Sequence, residues 1–193
     1  MMKIAVFASG TGSNFEAILE SIQFKKIKNV EVVLLVSDNP NALAVTKAKN
    51  ASIPVFSFQA KDYPDKLTYE QEVLEKLTNH QVDFIVLAGY MRLLGPVLLK
   101  AYDGKIINVH PSLLPAFKGK DAIGQALDYG VKVTGVTVHF VDEGMDTGPI
   151  IAQESVPVTM SMTREKLTIK IQEIEHRLLP EVIQSLANKE TTI

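Results

Sequence analysis

One pattern narrows the possible folds of this chain more than any other. Short apolar runs rich in β-branched residues alternate with amphipathic stretches through the first 130 positions. The runs Lys3–Ala8, Glu31–Ser37, Pro54–Phe58, Phe84–Ala88 and Lys105–Val109 read as strands. Ile4, Val6, Val32–Val36, Ile85–Leu87 and Ile106–Ile107 make them nearly continuously apolar, as strands covered on both faces must be. Between and after them, helices are predicted near Asn14–Phe24, Asn41–Lys49, Leu67–Asn79, Pro96–Tyr102 and Asp121–Tyr129, with Pro64 and Pro96 at tolerated positions near helix starts. Strand and helix in strict alternation imply βαβ units and a mainly parallel sheet.

The pattern changes after residue 130. Val133–Val141 and Pro149–Gln153 are joined by an acidic, glycine-containing loop with no room for a crossover helix, so they are predicted to pair antiparallel. A long helix follows over Arg164–Leu186, with Pro180 expected to kink or divide it. The expected fold is α/β: a single Rossmann-like domain over 1–193, mainly parallel, with an antiparallel C-terminal addition and helices on both faces. A length of 193 residues suits one domain.

Composition excludes several functions. Lys plus Arg total 20 against 22 Asp plus Glu, a net charge of −2 that argues against a surface built to grip nucleic acid. The absence of cysteine removes disulfides, thiolate metal sites and cysteine nucleophiles. The N-terminal apolar run is too short for a signal peptide, and no segment approaches the ~18 apolar residues of a membrane helix, so a cytoplasmic protein without membrane contact is expected.

Ligands of such sheets bind where strands end, because loops and helix N-termini converge there. The first strand runs into Ser9-Gly10-Thr11-Gly12-Ser13-Asn14, a turn with hydroxyl and amide donors before a helix N-terminus. Alone it is equally a plain turn. Phe15 stands where a dinucleotide fingerprint needs its third glycine, so one phosphate fits better than a dinucleotide. The fourth strand leads into Gly89-Tyr90-Met91-Arg92-Leu93-Leu94, in which Arg92 is by itself a solvated cation.

The fifth strand ends in Asn108-Val109-His110-Pro111-Ser112. Strand alternation puts Asn108 and His110 on one side, where a carboxamide and an imidazole could stabilise an oxyanion and deliver a proton; they could equally satisfy loop backbone groups. Asp142-Glu143-Gly144-Met145-Asp146 reads as a solvated hairpin loop unless it folds over His110. In that case Asp146 would stabilise the imidazolium and raise its pKa. His139, within a strand, reads as structural, and His80 as surface. Ligand spacing for a metal is lacking.

These segments, in this order, resemble the phosphoribosylglycinamide formyltransferases of the formyl-folate family. The resemblance rests on Phe7–Asn14, Ala88–Arg92, Asn108-Val109-His110-Pro111-Ser112-Leu113-Leu114-Pro115, and Val138–Val141 through Asp146–Ile151. It implies formyl transfer from 10-formyltetrahydrofolate, a cosubstrate, to the amine of 5-phosphoribosylglycinamide in purine synthesis, without a metal. It implies that Asn108, His110 and Asp146 are catalytic, and that Thr11, Gly12, Ser13 and Asn14, with Gln172, Glu173, Ile174 and Glu175, bind the ribonucleotide. Folate would meet Lys66, Met91, Arg92, Leu93, Leu94, Asn108, Asp142, Glu143, Gly144, Met145 and Asp146. On this reading 1–103 is the phosphate-binding half, and 104–193 the folate-binding and catalytic half. The partners are small molecules, with the protein itself a monomer or homodimer.

Many relatives carry an aromatic-Pro-Gly sequence after the position of Pro115. Here Phe117-Lys118-Gly119 stands instead, and Lys118 lacks proline's fixed φ, so a more mobile loop is expected. A formyl-folate hydrolase and a tRNA-formylating enzyme are rival readings that need extra domains for which this chain leaves no room. A nucleotide-binding redox module built on Gly10, Gly12 and Asp38 is a rival of another class, opposed by Phe15.

Overall fold

A computed structural model describes residues 1–190, with side chains described through 188. Its centre is one seven-stranded sheet in the order β3-β2-β1-β4-β5-β6-β7, comprising β1 (Met2–Phe7), β2 (Val30–Ser37), β3 (Val55–Ser57), β4 (Phe84–Leu87), β5 (Ile106–His110), β6 (Val133–Phe140) and β7 (Ile150–Pro157). The first five pair in parallel; β6 lies antiparallel to both β5 and β7.

Alternation along each strand divides the apolar residues between two cores. In β1, Ile4 and Val6 face one side, while Ala5 and Phe7 face the other. The first core is completed by α1 (Ser13–Gln23), α2 (Leu43–Asn50), the inner edge of α5 (Ala122–Tyr129) and α6 (Arg164–Glu190). The second is covered by α3 (Lys66–Asn79) and α4 (Pro96–Ala101), where Tyr69, Val73, Leu77 and Leu98 pack. Helix starts are marked chemically. The Asp65 carboxylate accepts the Thr68 N–H at 2.8 Å, and Asp121 accepts that of Gly124 at 3.2 Å, so both satisfy otherwise orphaned donors.

Two expectations change. Strand β7 continues past Gln153 to Pro157; residues 154–157 pair with 133–136 of β6 although their polar pattern gave no strand signal. Pro180 does not divide the last helix, which runs unbroken from Arg164 to Glu190. The hydrogen bond that proline removes is offset by burial: Leu178, Leu179, Val182 and Ile183 around it all enter the first core.

Candidate active site

Strand β1 ends against a turn whose geometry demands glycine. Gly12 has φ +70°, and a Cβ there would lie 2.7 Å from Ala44 Cβ and 2.8 Å from its Cα. Gly12 caps α1, and no side chain caps the helix's first N–H groups, so this helix start keeps donors of the kind that attract an anion. Thr11 is exposed, Ser13 half-buried and Asn14 buried. Asn14 Nδ2 donates to Glu175 Oε2 of α6 at 3.0 Å. Asn14 Oδ1 is buried without a partner, an acceptor suited to a donor on a bound molecule. Burial pushes the Glu175 carboxyl up to about 7, although the Asn14 bond opposes that shift.

The second cluster forms where β5 meets the loop between β6 and β7. The pairing register sets Asn108 opposite His139 and His110 opposite Thr137. Asp146, held at φ +53°, turns its carboxylate inward between these side chains. Its Oδ2 lies 3.4 Å from His110 Nδ1, and its Oδ1 lies 3.4 Å from Asn108 Nδ2 and 3.6 Å from His139 Nε2. The Gly119 N–H donates to Oδ2 at 2.8 Å. Burial raises the Asp146 carboxyl; the His139 ring 3.6 Å away, the Gly119 N–H and the His110 imidazole outweigh it and hold the group below its ordinary value. Asp146 is therefore ionised at neutral pH.

His110 Nε2 donates to the Phe117 carbonyl at 2.9 Å, so both ring nitrogens face acceptors. His139 Nδ1 donates to the Phe140 carbonyl at 2.7 Å, which leaves Nε2 to meet Asn108 Nδ2 at 3.2 Å. His139 is thus a member of the cluster, only 2% exposed. Both amide hydrogens of Asn108 face protein acceptors at long range, bonds that a stronger acceptor such as an oxyanion displaces. The segment after Pro115 is tied down from several sides: Phe117 O by His110, Gly119 N–H by Asp146, and the Lys118 and Lys120 carbonyls by Gln125 Nε2.

Met91 and Leu93, beyond β4, and Met145, in the loop between β6 and β7, are exposed apolar side chains. A cavity of about 660 Å³ lies beside that loop, lined by Leu99, Val141, Asp142 and Glu143 among others; Asn108, His110 and Asp146 do not line it. Lys66 Nζ sits 4.0 Å from the buried Glu70 carboxylate.

The structure brings Asn108, His110 and Asp146 together, and Asn14 with Glu175. It does not bring Glu173 to them: that residue lines a separate surface cavity with Lys166 and Lys170. Gln172 is exposed, and Ile174 packs on the first core. Besides His139, sequence reasoning missed His176, which shares a cavity with Ser13, Glu16 and Glu20 and whose Nε2 is buried without a partner. The signal for His176 was its place beside Glu175. Among the described residues, no helix is long and apolar enough to cross a membrane, and no group of three or more His, Asp or Glu side chains could hold a metal ion.

A buried Asn–His–Asp cluster at the end of β5 and a glycine turn before an uncapped helix start at the end of β1 both lie at the carboxyl ends of parallel strands, the arrangement of an α/β enzyme site. The formyl transferase family profile matches residues 2–183, and the chain belongs to that family. It is 52% identical over 186 residues to the phosphoribosylglycinamide formyltransferase of Bacillus subtilis (strain 168), covering 96% of this chain and 95% of that protein. Among solved structures it is similar to phosphoribosylglycinamide formyltransferase from Bacillus halodurans, at 54% identity and a TM-score of 0.94 over 97% of this chain and 96% of that one. Glycinamide ribonucleotide transformylase 1 from Geobacillus kaustophilus also matches at 53% identity, with a TM-score of 0.94 over 97% of this chain and 99% of that one.

Proposed function

We propose that this chain moves the formyl group of 10-formyltetrahydrofolate to the amine of 5-phosphoribosylglycinamide, with Asn108, His110 and Asp146 carrying the chemistry. The observation behind the residue assignment is the convergence of the three side chains within 3.4 Å contacts at the end of β5. The formyl donor supplies a carbonyl carbon, and attack by the amine makes its oxygen an anion. Asn108 Nδ2 and a protonated His110 stabilise that charge. His110 gives its proton to the folate nitrogen as the carbon–nitrogen bond to folate breaks and takes up the proton that the attacking amine loses, and ionised Asp146 holds the imidazolium in place.

The first turn of α1 binds the substrate phosphate, with Thr11, Gly12, Ser13 and Asn14 contributing. Glu175, beside Asn14, and Gln172, one turn earlier on α6, complete the ribonucleotide site, whereas Glu173 and Ile174 fall outside it. Met91, Arg92, Leu93 and Leu94 face Asp142, Glu143, Gly144 and Met145 across the folate, and Lys66 meets a folate carboxylate. His139 orients Asn108 and Asp146. Both substrates are charged, water-soluble metabolites, which supports a cytoplasmic location for the reaction.

The test mixes the two substrates and follows folate absorbance, with a parallel sample lacking the ribonucleotide. Turnover that depends on the ribonucleotide supports the reading. Formyl release of equal rate in its absence would make the protein a hydrolase.

A further inference from the structure

Asp38 follows β2 at the position where a dinucleotide-binding module would hold a ribose. Here its carboxylate is already engaged on both oxygens. Oδ1 accepts from Ser9 Oγ at 2.5 Å, and Oδ2 accepts from Arg92 Nε at 2.9 Å. Ser9 Oγ in turn accepts the Met91 N–H at 2.9 Å, which uses the hydroxyl as both donor and acceptor. The Ser9 N–H donates to the Gly89 carbonyl at 3.1 Å. These contacts connect the turn that leads into Thr11–Asn14 with the Met91–Leu94 segment. Sheet order explains why: β1 lies between β2 and β4, so the ends of all three strands are neighbours.

The link is sheltered at its centre and free at one edge. The Asp38 side chain is 11% exposed and Arg92 is 41% exposed, while Met91 stands 69% exposed. Charge-assisted bonds to a partly buried carboxylate are the strong kind, and Asp38 holds Arg92, which also bonds Tyr69, with one of them. Formyl transfer needs the amine and the formyl carbon in register, and each is carried by one of the two segments that this carboxylate joins.

We infer that Asp38 is a positioning residue that couples the ribonucleotide turn to the folate segment, so that filling either site tightens binding at the other. The inference rests on the site assignments made under the proposed function. Ordering of Ser9 and Arg92 by one ligand removes part of the ordering cost for the second, and by linkage the effect is reciprocal.

Isothermal titration calorimetry tests this with tetrahydrofolate, titrated with and without saturating glycinamide ribonucleotide. The wild-type protein is expected to bind tetrahydrofolate at least about fivefold more tightly when the ribonucleotide is present. In Asp38→Ala that ratio falls to near one, while affinity for each ligand alone changes far less. Ser9→Ala cuts the same chain of bonds and serves if Asp38→Ala does not fold; the double variant loses no more coupling than either single one. Asp38→Asn keeps an acceptor for Ser9 but no charge for Arg92, and retains an intermediate ratio. A wild-type ratio near one, or a ratio unchanged in folded Asp38→Ala or Ser9→Ala, overturns the coupling. Failure of the wild-type protein to bind either ligand or to transfer formyl would instead overturn the site assignments.

Discussion

Asn108, His110 and Asp146 each have a distinct fault when removed. Loss of an oxyanion donor typically lowers turnover about 10²–10³-fold. Asn108→Ala, His110→Ala and Asp146→Ala are each expected to lose most activity while retaining native circular dichroism, and steady-state kinetics on the purified variants measure it. Near-normal turnover in Asp146→Ala would remove that carboxylate from the mechanism. The carboxyls also predict opposite responses to pH. Glu175 rises from 4.5 to about 7 on folding, so the native state binds more protons in that window and loses stability as pH climbs through it. Glu175→Gln should flatten this part of the profile in urea melts taken at successive pH values. Asp146 is shifted downward, so its contribution is present above the ordinary carboxylate value and is lost as pH falls through the lowered one.

The short helix α4 follows directly from the segment Met91–Leu94, proposed to meet the folate, and its start is held from outside. Glu70 of α3, buried, accepts the Gly95 N–H at 2.5 Å with Oε1. A Cβ on Gly95 would lie 2.6 Å from Glu70 Oε2 and 2.9 Å from Lys66 Cε. Glu70→Ala leaves the Gly95 N–H buried without this partner, which costs about 1–3 kcal/mol in urea unfolding. Gly95→Ala displaces the same carboxylate by crowding it. Both variants are expected to weaken folate binding more than ribonucleotide binding, since α1 is untouched; calorimetry with each ligand shows the difference.

At the level of the whole molecule, α6 joins the two halves. Leu167, Ile171, Leu179 and Ile183 are buried in the first core, and Glu175 on the same helix reaches Asn14 of α1. Core packing and the Asn14–Glu175 pair are therefore linked through one element. Leu179→Ala is expected to destabilise by about 2–5 kcal/mol, read from the urea midpoint. The five parallel strands were legible because burial on both faces leaves a continuous apolar run. The glycine turn was legible because helix starts have local chemistry. His139 was not: it joins Asn108 only through the register of β5 on β6, and a strand histidine carries no mark of its opposite neighbour. Residues 154–157 were missed for a related reason, as an edge strand needs no apolar pattern to hydrogen-bond its partner.

Local order, then, was written in the chain itself: the alternation of elements, the turn at Gly12, and the common side of Asn108 and His110 all follow from the stereochemistry of neighbouring residues. Tertiary structure alone decided which distant groups meet. Asn14 finds Glu175 across 161 positions, Ser9 finds Asp38 and Arg92, and the Asp146 loop closes over His110. Such meetings depend on strand order and on the packing of α6. These are set by burial summed over the whole molecule, so no short stretch of residues encodes them.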